Sequence, residues 1–314
     1  MARYLGKRLL YSIPVLIGVF VVSFLVIRLI PGDPVELMLG INATPESVAR
    51  IEEDLGLDEP PLEQLGTFFV KAFTLDFGES IVKQTSVREV IGDRIPPSIY
   101  LILASVFVAL VIAVPLGIIS ATRRNRFGDH GIRLLTMVTF AMPTFWLALM
   151  LVQLLSLKLD LLPVSGYGEG LVGVLRSLTL PALALSLFLA PMLTRTLRAS
   201  LIDALHADYV DAARARGFSQ VRVVGKHAMR NSLIPLITVL SINVGFLLSF
   251  TVVVENVFQI PGLGSLLVQS VLTRDYPIIQ ALVLVFGVMV IVINLLADLA
   301  YSLADPRITL EEPA

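Results

Sequence analysis

The chain contains no cysteine, only three histidines and a single tryptophan, and only 16% of its residues are charged. The missing thiol excludes disulfides, thiolate catalysis, iron–sulfur clusters and cysteine-ligated zinc, and says nothing of compartment. Soluble domains carry about a quarter charged residues. A composition 56% hydrophobic, with a mean hydropathy of +0.84, therefore excludes a purely soluble protein. Also missing is the phosphate-binding pattern G-x-x-x-x-G-K-[ST]: Gly225-Lys226 has Gln220 five residues before it and His227 after it. Any use of nucleotide energy must come from another polypeptide.

What is present is a set of long uncharged runs. Six stretches lack Asp, Glu, Lys and Arg: 9–27, 95–122, 134–157, 177–194, 231–254 and 276–297. Each is long enough for a helix to cross a bilayer, and a helix satisfies its own backbone polar groups in lipid. The expectation is an all-α polytopic membrane protein with six transmembrane helices. The fourth run is the weakest, because Pro181 and Pro191 remove backbone donors. A seventh run, 256–273, is interrupted early by Pro261, Gly262 and Gly264 and suits an interfacial or re-entrant segment rather than a span. The first run exceeds a signal-peptide core and lacks a small-x-small cleavage site after it, so it reads as an anchor.

Orientation follows from the bases, which short loops retain on the cytoplasmic side. With the N-terminus inside, the inner side holds Arg3, Lys7, Arg8, Arg123, Arg124, Arg126, Arg133, Arg195, Arg198, Arg214, Arg216, Arg222, Lys226, Arg230 and Arg307. The short outer loops hold Lys158, Arg176 and Arg274. Both termini are thus expected in the cytoplasm. Residues 1–30 form the N-terminal end and first span, 31–94 an outer segment, and 95–314 a five-helix core with a long inner loop at 195–232. The outer segment carries thirteen acids against five bases. Within it, Thr44-Pro45-Glu46-Ser47 reads as a helix start followed by an apolar face of Val48, Ile51 and Leu55, against which Phe68, Phe69, Phe73 and Phe77 are placed to close a small cap.

The inner loop is too long for a simple connection. Leu201–Arg216 consists of helix-compatible residues, Gly217 is placed to end that helix in the left-handed region, and Ser219 to cap a second helix through Val221, Val224 and His227. Seven bases alone would suit an amphipathic helix on anionic headgroups. That reading leaves Asp208, Asp211 and the Ala212–Ala213 pair unexplained.

Asp211-Ala212-Ala213, three residues and Gly217, then Leu233-Ile234-Pro235, resemble the EAA loop of ABC importer permeases, with Asp for the usual Glu. His227-Ala228-Met229-Arg230 stands where the general pattern has Ile-x-Leu-Pro, and is similar to the peptide branch. The start through Leu29-Ile30-Pro31-Gly32-Asp33-Pro34, the block Glu255-Asn256-Val257-Phe258-Gln259-Ile260-Pro261-Gly262-Leu263-Gly264, Arg274-Asp275-Tyr276-Pro277 and Leu303-Ala304-Asp305-Pro306-Arg307 resemble B-type permeases of dipeptide, oligopeptide, glutathione and nickel importers. The resemblance spans nearly the whole chain.

It implies the type I importer permease fold and a non-catalytic subunit in a bacterial or archaeal cytoplasmic membrane. The implied partners are a second related permease, two ATPase subunits that bind ATP and Mg, and an extracytoplasmic substrate-binding protein. No cofactor, metal or nucleic acid is implied for this chain. The loop becomes a coupling helix seated in an ATPase groove, with Ala212 and Ala213 permitting close approach, Asp211, Arg214 and Arg216 giving polar contacts, Tyr209 beside them and Gly217 setting the turn. Glu255 and Asn256, where the fifth span ends, are candidates for an outer gate. Two other classes fit less well. A membrane enzyme would need chemistry that His130, His206 and His227, all in loops, do not provide. A secondary transporter or channel would need ionisable residues at mid-membrane, and Arg28, Glu255 and Asp298 lie near span ends.

Overall fold

The computed structural model describes residues 2–28, 35, 44–48, 60–74 and 76–304. Every named element among them is helical: α1 (Ala2–Arg28), α2 (Pro61–Thr74), α3 (Val87–Gly92), α4 (Ile95–Thr122), α5 (Phe127–Ala141), α6 (Thr144–Leu151), α7 (Gly170–Leu205), α8 (Asp208–Ala215), α9 (Gln220–Arg222), α10 (Met229–Phe258), α11 (Leu263–Thr273) and α12 (Tyr276–Ala304). Two π-helical stretches, Val152–Lys158 and Val223–Ala228, extend α6 and join α9 to α10.

Among the described residues, four helical segments are long and apolar enough to cross a membrane: Val87–Thr122, Gly170–Leu205, Gln220–Phe258 and Tyr276–Ala297. Pro181 and Pro191 lie inside α7, which runs on for 36 residues through both. The run 134–157 is not one straight span. It is a helix pair bent by 105°. Pro143 explains the break: it lacks an N–H and forces the residue before it out of the helical region, and Met142 sits at φ −87°, ψ 135°. Counted as one crossing, the pair is a fifth span, and α1 contributes a shorter apolar stretch, Leu10–Leu25. The run 256–273 is not a span, because Gln259 turns left-handed at φ 53° and the helix that follows has 11 residues.

The chain forms two compact units, one built on Ile99–Ile260 and one on parts of Gly6–Ser98 with Pro261–Ile291. In the first, α7 is the central post. Leu185, Leu189, Leu193, Leu197 and Leu201 recur every fourth residue and are all fully buried. This stripe draws in α4, α6 and α10 through Ala109, Ala113, Ala148, Leu236 and Leu247. Gly117 lets α4 approach α7 closely, since a Cβ there would lie 2.9 Å from Leu197 Cδ2.

In the second unit, α3, α11 and the start of α12 share a core of Val87, Ile91, Leu263, Leu266, Ile278 and Leu282. A short bridge, Glu79 with Ser86, closes a strap before α3. Ser80, next to Glu79, donates to the buried carboxylate of Asp275, whose main-chain oxygen also accepts from Ile279 N. Phe68 packs on Phe20 and Phe24 of α1, at centroid separations of 4.8 and 6.0 Å. The expected helix start at Thr44 is present, with Thr44 Oγ1 accepting from Ser47 N and Ser47 Oγ from Thr44 N. Ile51 and Leu55 lie outside the described residues.

Candidate functional site

The loop after α7 is built from its buried side outward. Leu201, Ala204 and Leu205 anchor the last turns of α7, and the helix then stops at His206, whose Nδ1 lies 2.7 Å from Ile202 O. The expected single helix from Leu201 to Arg216 is therefore two helices. Ala207 adopts an extended conformation between them, and its carbonyl accepts from Val210 N to start α8. The physical reason lies in the first turn of α8: Asp208 and Asp211 favour a helix N-terminus, where they meet the positive end of the peptide dipoles.

One face of α8 is fixed inward. Val210 and Ala213 are buried, in the same apolar cluster as Val223, Val224 and Ala228. Ala213 is thus occupied within its own chain, and only Ala212 of the alanine pair faces out. Tyr209 is 40% exposed beside it. Asp211 accepts a 2.9 Å hydrogen bond from Arg214 Nη1 one turn on, so this acid and this base are paired with each other on the surface. Arg216 is exposed.

Gly217 ends the helix as its residue type predicts. At φ 79° it occupies the left-handed region, Gly217 N donates to Arg214 O and Phe218 N donates to Ala213 O, the two bonds of a Schellman cap. Ser219 stands at the start of α9 with its carbonyl accepting from Val223 N, yet its hydroxyl makes no capping bond. The second helix runs through Val221, Val224 and His227 but is not short, since it continues through the π-helical stretch into α10. The residue that sequence reasoning missed is Phe218: its ring stacks on His227 at 5.5 Å and carries the Arg222 guanidinium at 4.9 Å. The cue was an aromatic directly after the cap glycine, where a Schellman motif places an apolar contact.

The arrangement is a small ledge with one anchored and one open face. Its charged pair is the surface one of Asp211 and Arg214, and among the described residues no cluster of three or more His, Cys, Asp or Glu could hold a metal. The two gate candidates lie apart from the ledge, at the far end of α10. Glu255 is fully buried there, whereas Asn256 is exposed and its Nδ2 donates to Val252 O.

Two family profiles match. Residues 113–310 match the family described as binding-protein-dependent transport system inner membrane component, and residues 1–102 match its N-terminal companion. An oligopeptide transport system permease protein of Bacillus subtilis is 38% identical over 98% of this chain and 99% of its own length. A glutathione transport system permease protein of Salmonella choleraesuis is 40% identical over the same shares. Among solved structures, an inward-facing MetNI methionine ABC transporter chain aligns with a TM-score of 0.57 and 14% identity, covering 69% of this chain and 96% of its own. A chain of an amino acid ABC transporter aligns at 0.52 and 13%, covering 68% and 93%. These structural likenesses establish the type I ABC permease fold, and with profile and sequence matches over nearly its full length this chain belongs to the family of binding-protein-dependent transport system inner membrane components.

Proposed function

We propose that the chain is one permease half of an ATP-driven importer for dipeptides or oligopeptides, with α8 as the helix through which a separate ATPase moves the spans. The single observation that carries this reading is the two-sided build of α8: Val210 and Ala213 tie it to the body of the protein while Tyr209 and Ala212 stand open. A ledge fixed on one side transmits a push as a rigid-body displacement, because packed interiors deform little. Asp211, Arg214 and Arg216 supply the polar contacts, and Gly217 fixes the angle to the next helix.

ATP and Mg are bound by that ATPase pair and not by this chain, which is non-catalytic and needs no cofactor of its own. A second related permease completes the pathway. Both termini and the ledge face the cytoplasm, as the distribution of bases supports. The acidic segment 31–94 meets an extracytoplasmic binding protein, and Glu255 with Asn256 sits at the outer gate. Nickel and glutathione are the substrates of the competing reading, since a relative named for glutathione is as similar as one named for oligopeptides.

The test uses the cysteine-free background. Ala212→Cys introduces the sole thiol and crosslinks to a cysteine placed in the ATPase groove, whereas Ala213→Cys, buried against the body, does not. Uptake that continues with Ala212→Cys free of any ATPase contact would end the coupling role.

A further inference from the structure

A cleft of about 590 Å³ opens between α5 and α7, within the first unit and away from the α8 ledge. Its polar end is basic: His130, Arg133 and Arg195 line it, and none of their side chains has an ion-pair or hydrogen-bond partner among the described residues. No carboxylate lines it. The nearby Asp129 is fully committed, to Arg198, Ser120 and the Asn125 amide. Its other end is apolar, with Met137 and Phe140 exposed along α5.

Two further facts narrow the ligand. Thr194 lines the cleft at 2% exposure, and its Oγ1 is buried without any hydrogen-bond partner. Such a hydroxyl is unfavourable until an acceptor or donor reaches it. The basic residues also sit where uncharged runs begin and end, Arg133 immediately before 134–157 and Arg195 immediately after 177–194, which is the depth of lipid headgroups. A zwitterionic peptide would need an acid for its ammonium group, and the cleft offers none. An anion with an apolar tail matches both ends.

We infer that this cleft binds an anionic phospholipid, with the phosphate held by His130, Arg133 and Arg195, a headgroup or ester oxygen meeting Thr194, and an acyl chain laid along Met137 and Phe140. Basic pockets between membrane helices are suited to such headgroups. The site goes beyond the transport reading and stands whether or not α8 engages an ATPase.

The full-length chain, alone and in its assembled transporter, is reconstituted in phosphatidylcholine vesicles doped with a photoactivatable phosphatidylglycerol, and the labelled peptides are mapped. Label is expected on the α5 segment carrying Met137 and Phe140. R133Q/R195Q lowers it at least about tenfold, because each base contributes separately to headgroup attraction. R123Q/R124Q, which removes bases outside the cleft, leaves the label unchanged, and T194V weakens it without disturbing the charge. Several results would each overturn the site: equal labelling by a phosphatidylcholine probe, equal loss in R123Q/R124Q, protection by inorganic phosphate or by peptide, or disappearance of the label once the second permease is present.

Discussion

Arg198 grips Asp129 with two parallel hydrogen bonds, Nε to Oδ1 and Nη2 to Oδ2, each 2.7 Å long. Ser120 Oγ and Asn125 N complete the carboxylate's shell, so one fully buried acid joins the end of α4, the turn after it, the start of α5 and α7. The bidentate fork is the geometry that makes arginine and lysine non-equivalent. Arg198 also lies two turns before the end of α7, the helix that leads into α8.

Removing Arg198 leaves Asp129 as a fully buried, uncompensated charge, and removing Asp129 leaves the half-buried Arg198 guanidinium unpaired. Asp129→Asn or Arg198→Gln is expected to destabilise the protein by about 3 kcal/mol, as for buried pairs in general. Arg198→Lys keeps the charge but loses the fork, and falls between wild type and Arg198→Gln. Thermal unfolding of the purified chain in detergent measures all three, and an Asp129→Asn variant as stable as wild type would remove the structural role of the pair.

Gly217 gives the second prediction. No atom crowds the space where its Cβ would be, so the constraint is purely its positive φ. Gly217→Asn, tolerant of the left-handed region, should retain uptake, whereas Gly217→Val should cost about 1–2 kcal/mol and misdirect α9. If α8 couples to an ATPase, the valine variant assembles but loses uptake per ATP hydrolysed. Equal uptake by both variants would show that the cap geometry is immaterial.

Much of this site was legible because its signals are local. The uncharged runs marked where helices lie, and a glycine after a short acidic-to-basic helix marked the cap at Gly217. What escaped were events set by distant or competing partners. Met142 is an ordinary residue until Pro143 follows it, and the bend of 105° is the outcome. The stop at His206 depends on Asp208 starting a better helix. Ala212 and Ala213 look alike in sequence, and only packing against Val223 and Val224 makes one inner and one outer. Asp129 is the single acid in the basic turn 123–133, a cue in itself, but its partner lies 69 residues away.

Lys83, on the strap beside Asp275, gives a pH dependence. Burial, then the Arg94 guanidinium, hold its ammonium below the ordinary 10.5, with Asp275 pulling the other way. The unfolded chain therefore binds this proton more tightly than the folded one. Stability rises with pH between the lowered value and about 10.5, and below that window the folded state carries the full penalty. Lys83→Met should abolish that rise and stabilise the strap at neutral pH, as read from amide exchange of residues 78–86. A rise that persists unchanged in Lys83→Met would assign it to another group.

Gly287 of α12 sets how closely α1 can approach. A Cβ there would lie 2.3 Å from Val19 Cγ1, 2.9 Å from Cγ2 and 3.0 Å from Cβ, so no rotation of the valine clears it. The same two helices are tied by Ser23 Oγ donating to Gln280 O at 2.6 Å. Small residues let membrane helices meet backbone to backbone, where van der Waals contact and interhelical hydrogen bonds supply the association. Gly287→Ala should therefore cost about 1–3 kcal/mol, the usual range for overpacking, by forcing α1 outward and straining the Ser23 bond. Val19→Ala alone should cost less, and in combination it should recover most of the loss. Thermal unfolding of the four proteins in a double-mutant cycle measures this coupling, and strictly additive effects would mean that α1 and α12 are not in contact at these residues.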